Sequence, residues 1–95
     1  MRHKVGASAA ILRRTGGYTT IDDLNRFFFS SEMIAVGHII IHGNLPGEVL
    51  NDVEGLSGIR RVARNMAWIL KMKAATKDEI TPPAYEKRQF MNFIR

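Results

Sequence analysis

The sequence predicts an α/β fold in which two parallel strands alternate with two helices. Two observations carry this prediction. The first apolar run lacks the period-two alternation of a strand with one solvated face, which is typical of parallel strands covered on both sides, and the second is rich in β-branched residues. Each run is followed by apolar residues at helical spacing. The order strand, helix, strand, helix favours a βαβ unit with a right-handed crossover.

The first strand is predicted over residues 5–12, which form a continuous apolar stretch. Residues 13–18 interrupt it and contain the pair Gly16-Gly17. A glycine pair permits a sharp turn or the close approach of a ligand to the backbone.

The first helix is predicted over residues 20–31. Thr20, Ile21, Asp22 and Asp23 have the form of a capping box, so we expect both aspartates to act as caps. The apolar residues that follow at helical spacing are Ile21, Leu24, Phe27 and Phe28.

The second half repeats this pattern. A β-branched apolar run predicts a strand over residues 33–41, and residues 42–54 predict a loop because they contain glycine, asparagine and proline. A long helix is predicted over residues 55–73, with Asp52 or Glu54 near its N-terminus, where negative charge is favoured. Its apolar stripe comprises Leu56, Ile59, Val62, Ala63, Met66, Ile69 and Leu70.

Residues 74–95 differ from the rest in composition. They contain Pro82-Pro83 and many charges, and they end in Phe90-Met-Asn-Phe-Ile-Arg95. Because two phenylalanines and an isoleucine are costly to leave in water, we expect a C-terminal arm that docks on a partner subunit. A frayed terminus is the alternative.

Two strands and two helices are too few to cover a parallel sheet on both faces. The chain has 95 residues and no cysteine, so no disulfide can compensate for a small core. We therefore expect a homo-oligomer or a partner chain that supplies more sheet. The lack of cysteine also excludes a cysteine nucleophile and a thiolate-ligated iron–sulfur cluster within this chain.

The formal net charge of +5 raises the question of a polyanionic partner. The basic residues are spread over the ends, one loop and one helix, so we do not expect a nucleic acid. No apolar run approaches the roughly 18 residues of a membrane span, so we expect no membrane partner. Arg13-Arg14 directly follow the first apolar run, which indicates a buried strand rather than a signal peptide, and we expect a cytoplasmic protein.

Several segments resemble the C-terminal half of the NAD(P)H-dependent FMN reductases, in particular the branch of iron–sulfur flavoproteins and multimeric flavodoxins. The resemblance covers nearly the whole chain. It is carried by the order and spacing of motifs that are each weakly specific: Lys4-Val-Gly-Ala-Ser-Ala-Ala-Ile-Leu-Arg-Arg-Thr-Gly-Gly17, Glu32-Met-Ile-Ala-Val-Gly37, Gly47-Glu-Val-Leu-Asn-Asp-Val-Glu-Gly55, Arg64-Asn-Met-Ala-Trp-Ile-Leu-Lys71 and Asn92-Phe-Ile-Arg95.

This resemblance implies a partial flavodoxin-like parallel sheet, in which residues 1–73 correspond to the fourth and fifth strands with their helices. In such proteins FMN binds at the carboxyl ends of the strands. The family's activity is two-electron transfer from a nicotinamide to FMN and onward to an acceptor. The strand that carries the phosphate loop, the third-strand loop and the cysteine cluster have no counterpart here, so we expect FMN binding only in a complete assembly.

The resemblance places the loop after the first strand near the flavin ring. The candidate cofactor-binding residues are therefore Arg13, Arg14, Thr15, Gly16, Gly17 and Tyr18. Backbone amides and a guanidinium in this loop would stabilise negative charge on the reduced ring. From spacing alone, a plain strand-to-helix turn with solvated arginines fits as well, and for Tyr18 partial burial is the simpler expectation.

Other residues give weaker signals. His38 and His42 have the spacing of helical metal ligands, but their segment is predicted as strand, so we expect no metal site. Trp68 is expected in the core or an interface. We find no paired-carboxylate or triad pattern and expect no catalytic residue in this chain. The two functional hypotheses are an FMN reductase family member or fragment without the phosphate-binding half, and a non-catalytic association module without cofactor.

Overall fold

The computed structural model of the chain describes residues 1–91. In this range the chain forms the strand β1 (Val5–Leu12), the helix α1 (Gly17–Ser30), the strand β2 (Ile34–His42), a short 3-10 helix (Glu48–Asn51) and the helix α2 (Val53–Thr76). β1 and β2 pair in parallel. The result is the mixed α/β arrangement that the sequence predicts, and it is consistent with part of a flavodoxin-like fold.

The two helices pack on opposite faces of the sheet. On one face, Gly6 of β1 lies against Phe28 of α1, and Gly17 of α1 lies against Ile40 of β2. On the other face, Gly58 of α2 lies against Ile39 of β2. Alternate residues of each strand therefore face different helices, as the pleat of a strand requires.

The core of the described residues is small. Its buried apolar side chains are Ala10, Ile21, Ile39 and Ile41. Ser8 is also buried, and its hydroxyl donates a hydrogen bond to the Asn25 side-chain oxygen at 3.0 Å, which links β1 to α1. Because so few residues are buried, this unit has little hydrophobic stabilisation of its own.

The sheet register contains an irregularity that the sequence did not indicate. Gly6 pairs with Ala35 and Ser8 pairs with His38, so β2 has an extra residue opposite this part of β1. Gly37 lies in this bulge with φ of +144°. The bulge shifts the side-chain alternation of β2 and thereby places His38 on the α1 face, beside Ser8.

The first helix begins earlier than predicted. It starts at Gly17, with Gly16 as its N-cap in the left-handed conformation and without a side-chain cap. The predicted capping box is wrong: the Thr20 hydroxyl donates to the Gly16 carbonyl from inside the helix, and Asp22 and Asp23 lie beyond its start. Because glycine readily adopts the left-handed conformation, Gly16 can act as the N-cap, and the helix begins before Thr20.

The remaining bounds differ by small amounts. β2 covers Ile34–His42 rather than residues 33–41, and α2 covers Val53–Thr76 rather than residues 55–73. The loop between them contains the short 3-10 helix. Of the two predicted caps, Asp52 is the N-cap of α2, and Glu54 lies in the first turn.

Residues 81–91 have no regular secondary structure and lie partly against the amino end of the sheet. The Arg2 guanidinium donates to the carbonyls of Pro83 and Ala84 at 2.9 and 3.2 Å. Phe90 and Met91 are exposed. The last four residues of the predicted docking arm, including Phe93 and Ile94, lie outside the described residues.

Candidate functional site: a cleft at the carboxyl edge of the sheet

The candidate site forms where the two parallel strands end. The loop of residues 13–16 follows β1, and the segment of residues 43–52 follows β2. Because the strands are parallel, both connections meet at one edge, together with the N-termini of α1 and α2. The N-terminal ends of both helices therefore face the same space.

The two glycines of the first loop have different structural roles. Gly16 has φ of +92°, a conformation that favours glycine. A Cβ added there would meet no atom within 4 Å, so the backbone conformation and not a lack of space calls for glycine at this position. Gly17 is buried, and a Cβ added there would collide with Leu12. Gly16 therefore turns the chain, and Gly17 lets α1 start directly against the end of β1.

Most of the predicted site residues line one open cleft with a volume of about 580 Å³. This volume falls within the range of small-molecule pockets, roughly 300–1,000 Å³. Five of the six candidates contribute to its wall, namely Arg14, Thr15, Gly16, Gly17 and Tyr18. Arg13 is exposed and is not among the lining residues.

Tyr18 forms part of an aromatic pair in this cleft. Its side chain is 69% exposed, so the expectation of partial burial was wrong. Its ring meets the His38 ring edge to face, with centroids 6.0 Å apart. Two exposed rings in one cleft present the flat surfaces and edges that favour aromatic ligands.

The far wall of the cleft is built by the start of α2. The Asp52 carboxylate accepts backbone N–H groups from Gly55 at 2.9 Å and from His42 at 2.8 Å. These two hydrogen bonds, the one from Gly55 first, hold the pKa of Asp52 below its usual value. Asp52 is thereby committed to capping α2 and fixing the end of β2, and it is poorly suited to act as a base.

Charged side chains of both signs surround the cleft. Arg14 lies on the α1 side, and Arg61 and Glu54 lie on the α2 side. His42 lies between them, with its Nδ1 atom 3.6 Å from an Asp52 carboxylate oxygen. Among residues 1–91, no three histidine or acidic side chains come together in a way that would hold a metal ion.

Sequence reasoning missed the contributions of His38, His42 and Arg61 to this wall. The spacing of the two histidines suggests only a metal site. The bulge at Gly37 that orients His38 has no sequence signal other than a glycine within a strand. Arg61 belongs to the polar side of a helix, and only the packing of α2 places it at the cleft. Trp68 is 62% exposed and thus not in the core of the described chain.

Comparison with known proteins gives one informative relative. The chain is 34% identical over 82 residues to an iron–sulfur flavoprotein of Methanocaldococcus jannaschii. The alignment covers 76% of this chain and 42% of the relative, so the chain spans about two fifths of that protein's length. This similarity indicates a distant relationship to flavoproteins.

No protein-family model matches the sequence. No solved structure matches it. Within the described part of the chain, no helix combines the length and the apolar character needed to cross a lipid bilayer.

Proposed function

We propose that this chain contributes one side of a flavin site in an NAD(P)H-dependent FMN reductase. In this proposal, residues Arg14 to Tyr18 contact the flavin ring, and a partner chain supplies the phosphate site. The observation that carries the proposal is the position of this loop: it lines an open cleft at the carboxyl edge of a parallel sheet. The similarity to an iron–sulfur flavoprotein supports the same assignment.

The residues of the cleft fit the ring of a flavin better than its phosphate. The Tyr18 and His38 rings offer aromatic contact, and Arg14 offers a cation for the electron-rich pyrimidine edge. When bound, FMN would supply the two-electron chemistry, and this loop would bind and orient its ring. The described residues contain no glycine-rich loop after a further strand that would cradle the phosphate.

The proposal predicts how the chain distinguishes flavins. Binding is measured in a complete assembly by quenching of flavin fluorescence, because this chain alone supplies contacts only to the ring. Arg14→Gln should weaken binding roughly tenfold, the size expected for one charge-assisted contact. Arg13→Gln is the matched control, because Arg13 carries the same charge next to the cleft without lining it.

In a complete assembly the same titration should favour FMN over riboflavin, because only FMN carries the phosphate. A binding curve that is insensitive to Arg14→Gln, or equally sensitive to Arg13→Gln, would argue against ring contact by this loop. A chain that quenches neither flavin, alone or with a partner, would favour the association module instead.

A further inference from the structure

We infer that the solvent-facing side of α2 is a binding surface for single-stranded nucleic acid. This surface, the basic face of α2, consists of Arg60, Arg64, Trp68 and Lys71. Its cations contact phosphates, and its indole ring stacks on a base. The surface is separate from the flavin cleft, because none of its four residues lines that cleft.

The packing of α2 on the sheet fixes which side of this helix faces solvent. Gly58 lies against Ile39, and Val62 lies against Gly37. At about 100° per residue, the four residues of the basic face fall within about 80° of one another on the opposite side of the helix. All four are exposed. The fold therefore gathers on one surface a set of side chains whose common direction the charge distribution of the sequence did not indicate.

The positive charge of this face is not offset by neighbouring acidic side chains. Residues 55–77 contain no aspartate or glutamate, so no acid on α2 lies one turn from these cations. In the described part of the chain, Arg60, Arg64 and Lys71 form no ion pair with an acidic side chain from elsewhere. A cationic face without counter-charges attracts polyanions, in keeping with the net charge of +5.

The spacing of the cations suits a short stretch of a single strand. With a rise of about 1.5 Å per residue, Arg60 and Lys71 lie about 16 Å apart along the helix axis, with Arg64 between them. At roughly 3.4 Å per phosphate, this length corresponds to about five nucleotides. Sites of about 4–16 nucleotides are usual for small domains that bind single strands.

Trp68 adds a stacking surface to these charges. It is the only tryptophan of the chain and is 62% exposed. Among the described residues, no aromatic pair or cation–π contact holds its ring. It lies about one turn from both Arg64 and Lys71 along α2. An exposed aromatic ring flanked by cations is the combination that single-stranded nucleic acid requires, because its bases are free to stack.

The composition of this face favours single strands over other anionic partners. A helix that lies on a membrane has a broad apolar face, whereas Trp68 is the one large apolar side chain on this side of α2 between residues 57 and 75. A nucleic-acid duplex keeps its bases stacked inside, and an acidic protein needs only the cations. Neither of these partners uses the exposed indole ring as a stacking platform.

The test uses the intact chain and a thymidine oligonucleotide of about 12 nucleotides. Saturable binding should quench the fluorescence of Trp68 and raise the fluorescence anisotropy of a labelled oligonucleotide. The logarithm of the association constant should fall against the logarithm of the salt concentration with a slope of about −2, because three neutralised phosphates contribute about −0.7 each. A duplex of the same length should bind more weakly.

Two substitutions separate stacking from charge. Trp68→Ala should weaken binding about five- to tenfold, measured by anisotropy, and leave the salt slope unchanged. Arg64→Gln should also weaken binding and should make the slope shallower by about 0.7. The matched controls are Phe29→Ala and Arg26→Gln, because Phe29 is 67% exposed and Arg26 is exposed on α1, on the other face of the sheet. Neither control should change the affinity, and circular dichroism should show the same helix content for all four variants.

Three outcomes would overturn the inference. The first is an oligonucleotide that does not bind at low salt, or that binds Trp68→Ala as tightly as the parent chain. The second is polyglutamate binding at least as tightly as the oligonucleotide, which would assign the surface to an acidic polypeptide. The third is a blue shift of Trp68 emission with vesicles of phosphatidylserine and phosphatidylcholine but no binding of the oligonucleotide, which would assign it to an anionic membrane.

Discussion

At the candidate site, the Asp52 side chain binds two separate segments of the backbone. One of its carboxylate oxygens accepts the Gly55 N–H and the other accepts the His42 N–H. It thereby joins the end of β2 to the start of α2 across the ten residues that lie between them. An added Cβ at Gly55 would lie close to this carboxylate, so the glycine keeps the connection tight.

Removing this carboxylate should destabilise the fold. Asp52→Ala leaves both N–H groups without their partner, and we expect the thermal unfolding midpoint to fall by roughly 4–8 °C, as for the loss of a helix cap in a domain of this size. Asp52→Asn retains one acceptor oxygen and should have a smaller effect. Equal midpoints for the parent and Asp52→Ala would show that the cap contributes nothing.

The same residue should give the stability a defined pH dependence. The folded-state pKa of Asp52 is lowered by its hydrogen bonds, so it binds its proton less readily than in the unfolded chain. Its contribution is therefore fully present above the ordinary carboxyl pKa of about 4 and is lost as the pH falls through the lowered value. Urea unfolding across this range should show the parent and Asp52→Ala converging in acid, whereas a constant difference would contradict the assignment.

At the level of elements, two glycines hold backbone conformations that other residues rarely adopt. Gly16 caps α1 with φ of +92°, and Gly37 forms the bulge of β2 with φ of +144°. They differ in their surroundings, since a Cβ at Gly37 would lie 3.1 Å from the Val62 side chain and a Cβ at Gly16 would meet nothing. A comparison of substitutions at the two positions therefore distinguishes the cost of backbone strain from the cost of a packing clash.

We expect both alanine variants to destabilise the chain, and Gly37→Ala more strongly. Gly16→Ala should cost about 1–2 kcal/mol from backbone strain alone. Gly37→Ala should cost about 1–3 kcal/mol because the methyl group also presses on Val62. In urea unfolding, the added substitution Val62→Ala should relieve part of the Gly37→Ala cost and none of the Gly16→Ala cost. Full additivity in both pairs would contradict this packing argument.

At the level of the whole molecule, the chain is far from compact. Its radius of gyration is 17.7 Å, whereas a compact chain of 95 residues has one of roughly 12 Å. The extended residues after α2 contribute to this difference. They are tied back to the amino end of the sheet by Arg2, whose guanidinium also pairs with Glu32 at 2.8 Å and lies 5.6 Å from the Tyr85 ring centroid.

Loss of Arg2 should therefore release this segment without affecting the sheet. Arg2→Ala removes the contacts to Pro83, Ala84 and Tyr85, while Arg2 itself lies before β1. We expect cleavage by trypsin after Lys87 and Arg88 to accelerate about two- to fivefold, the size expected for loss of an exposed cation–π contact.

Arg60→Ala serves as the control for this experiment, because Arg60 is exposed on α2 and makes none of these contacts. It should leave the cleavage rate unchanged. A rate for Arg2→Ala that matches the parent would mean that the segment is held by other residues. Docking of the distal arm on a partner subunit stays a separate prediction.

The sequence by itself determined the order of elements and the loop that lines the cleft. The continuous apolar runs of residues 5–12 and 33–41 and the helical periodicity of residues 55–73 are local patterns, which a sequence states directly. The Gly16-Gly17 pair likewise predicts the turn before α1, and Asp52 is predicted as a cap. Local chemistry was sufficient for each of these.

Only the tertiary structure decided which distant residues share the cleft. His38 lies beside Tyr18 because a bulge shifts the register of β2, and Arg61 reaches the cleft because α2 packs across Ile39 and Ile41. The start of α1 at Gly17 likewise depends on how closely that glycine packs on Leu12. These features arise from contacts between residues far apart in the chain, so no local pattern encodes them.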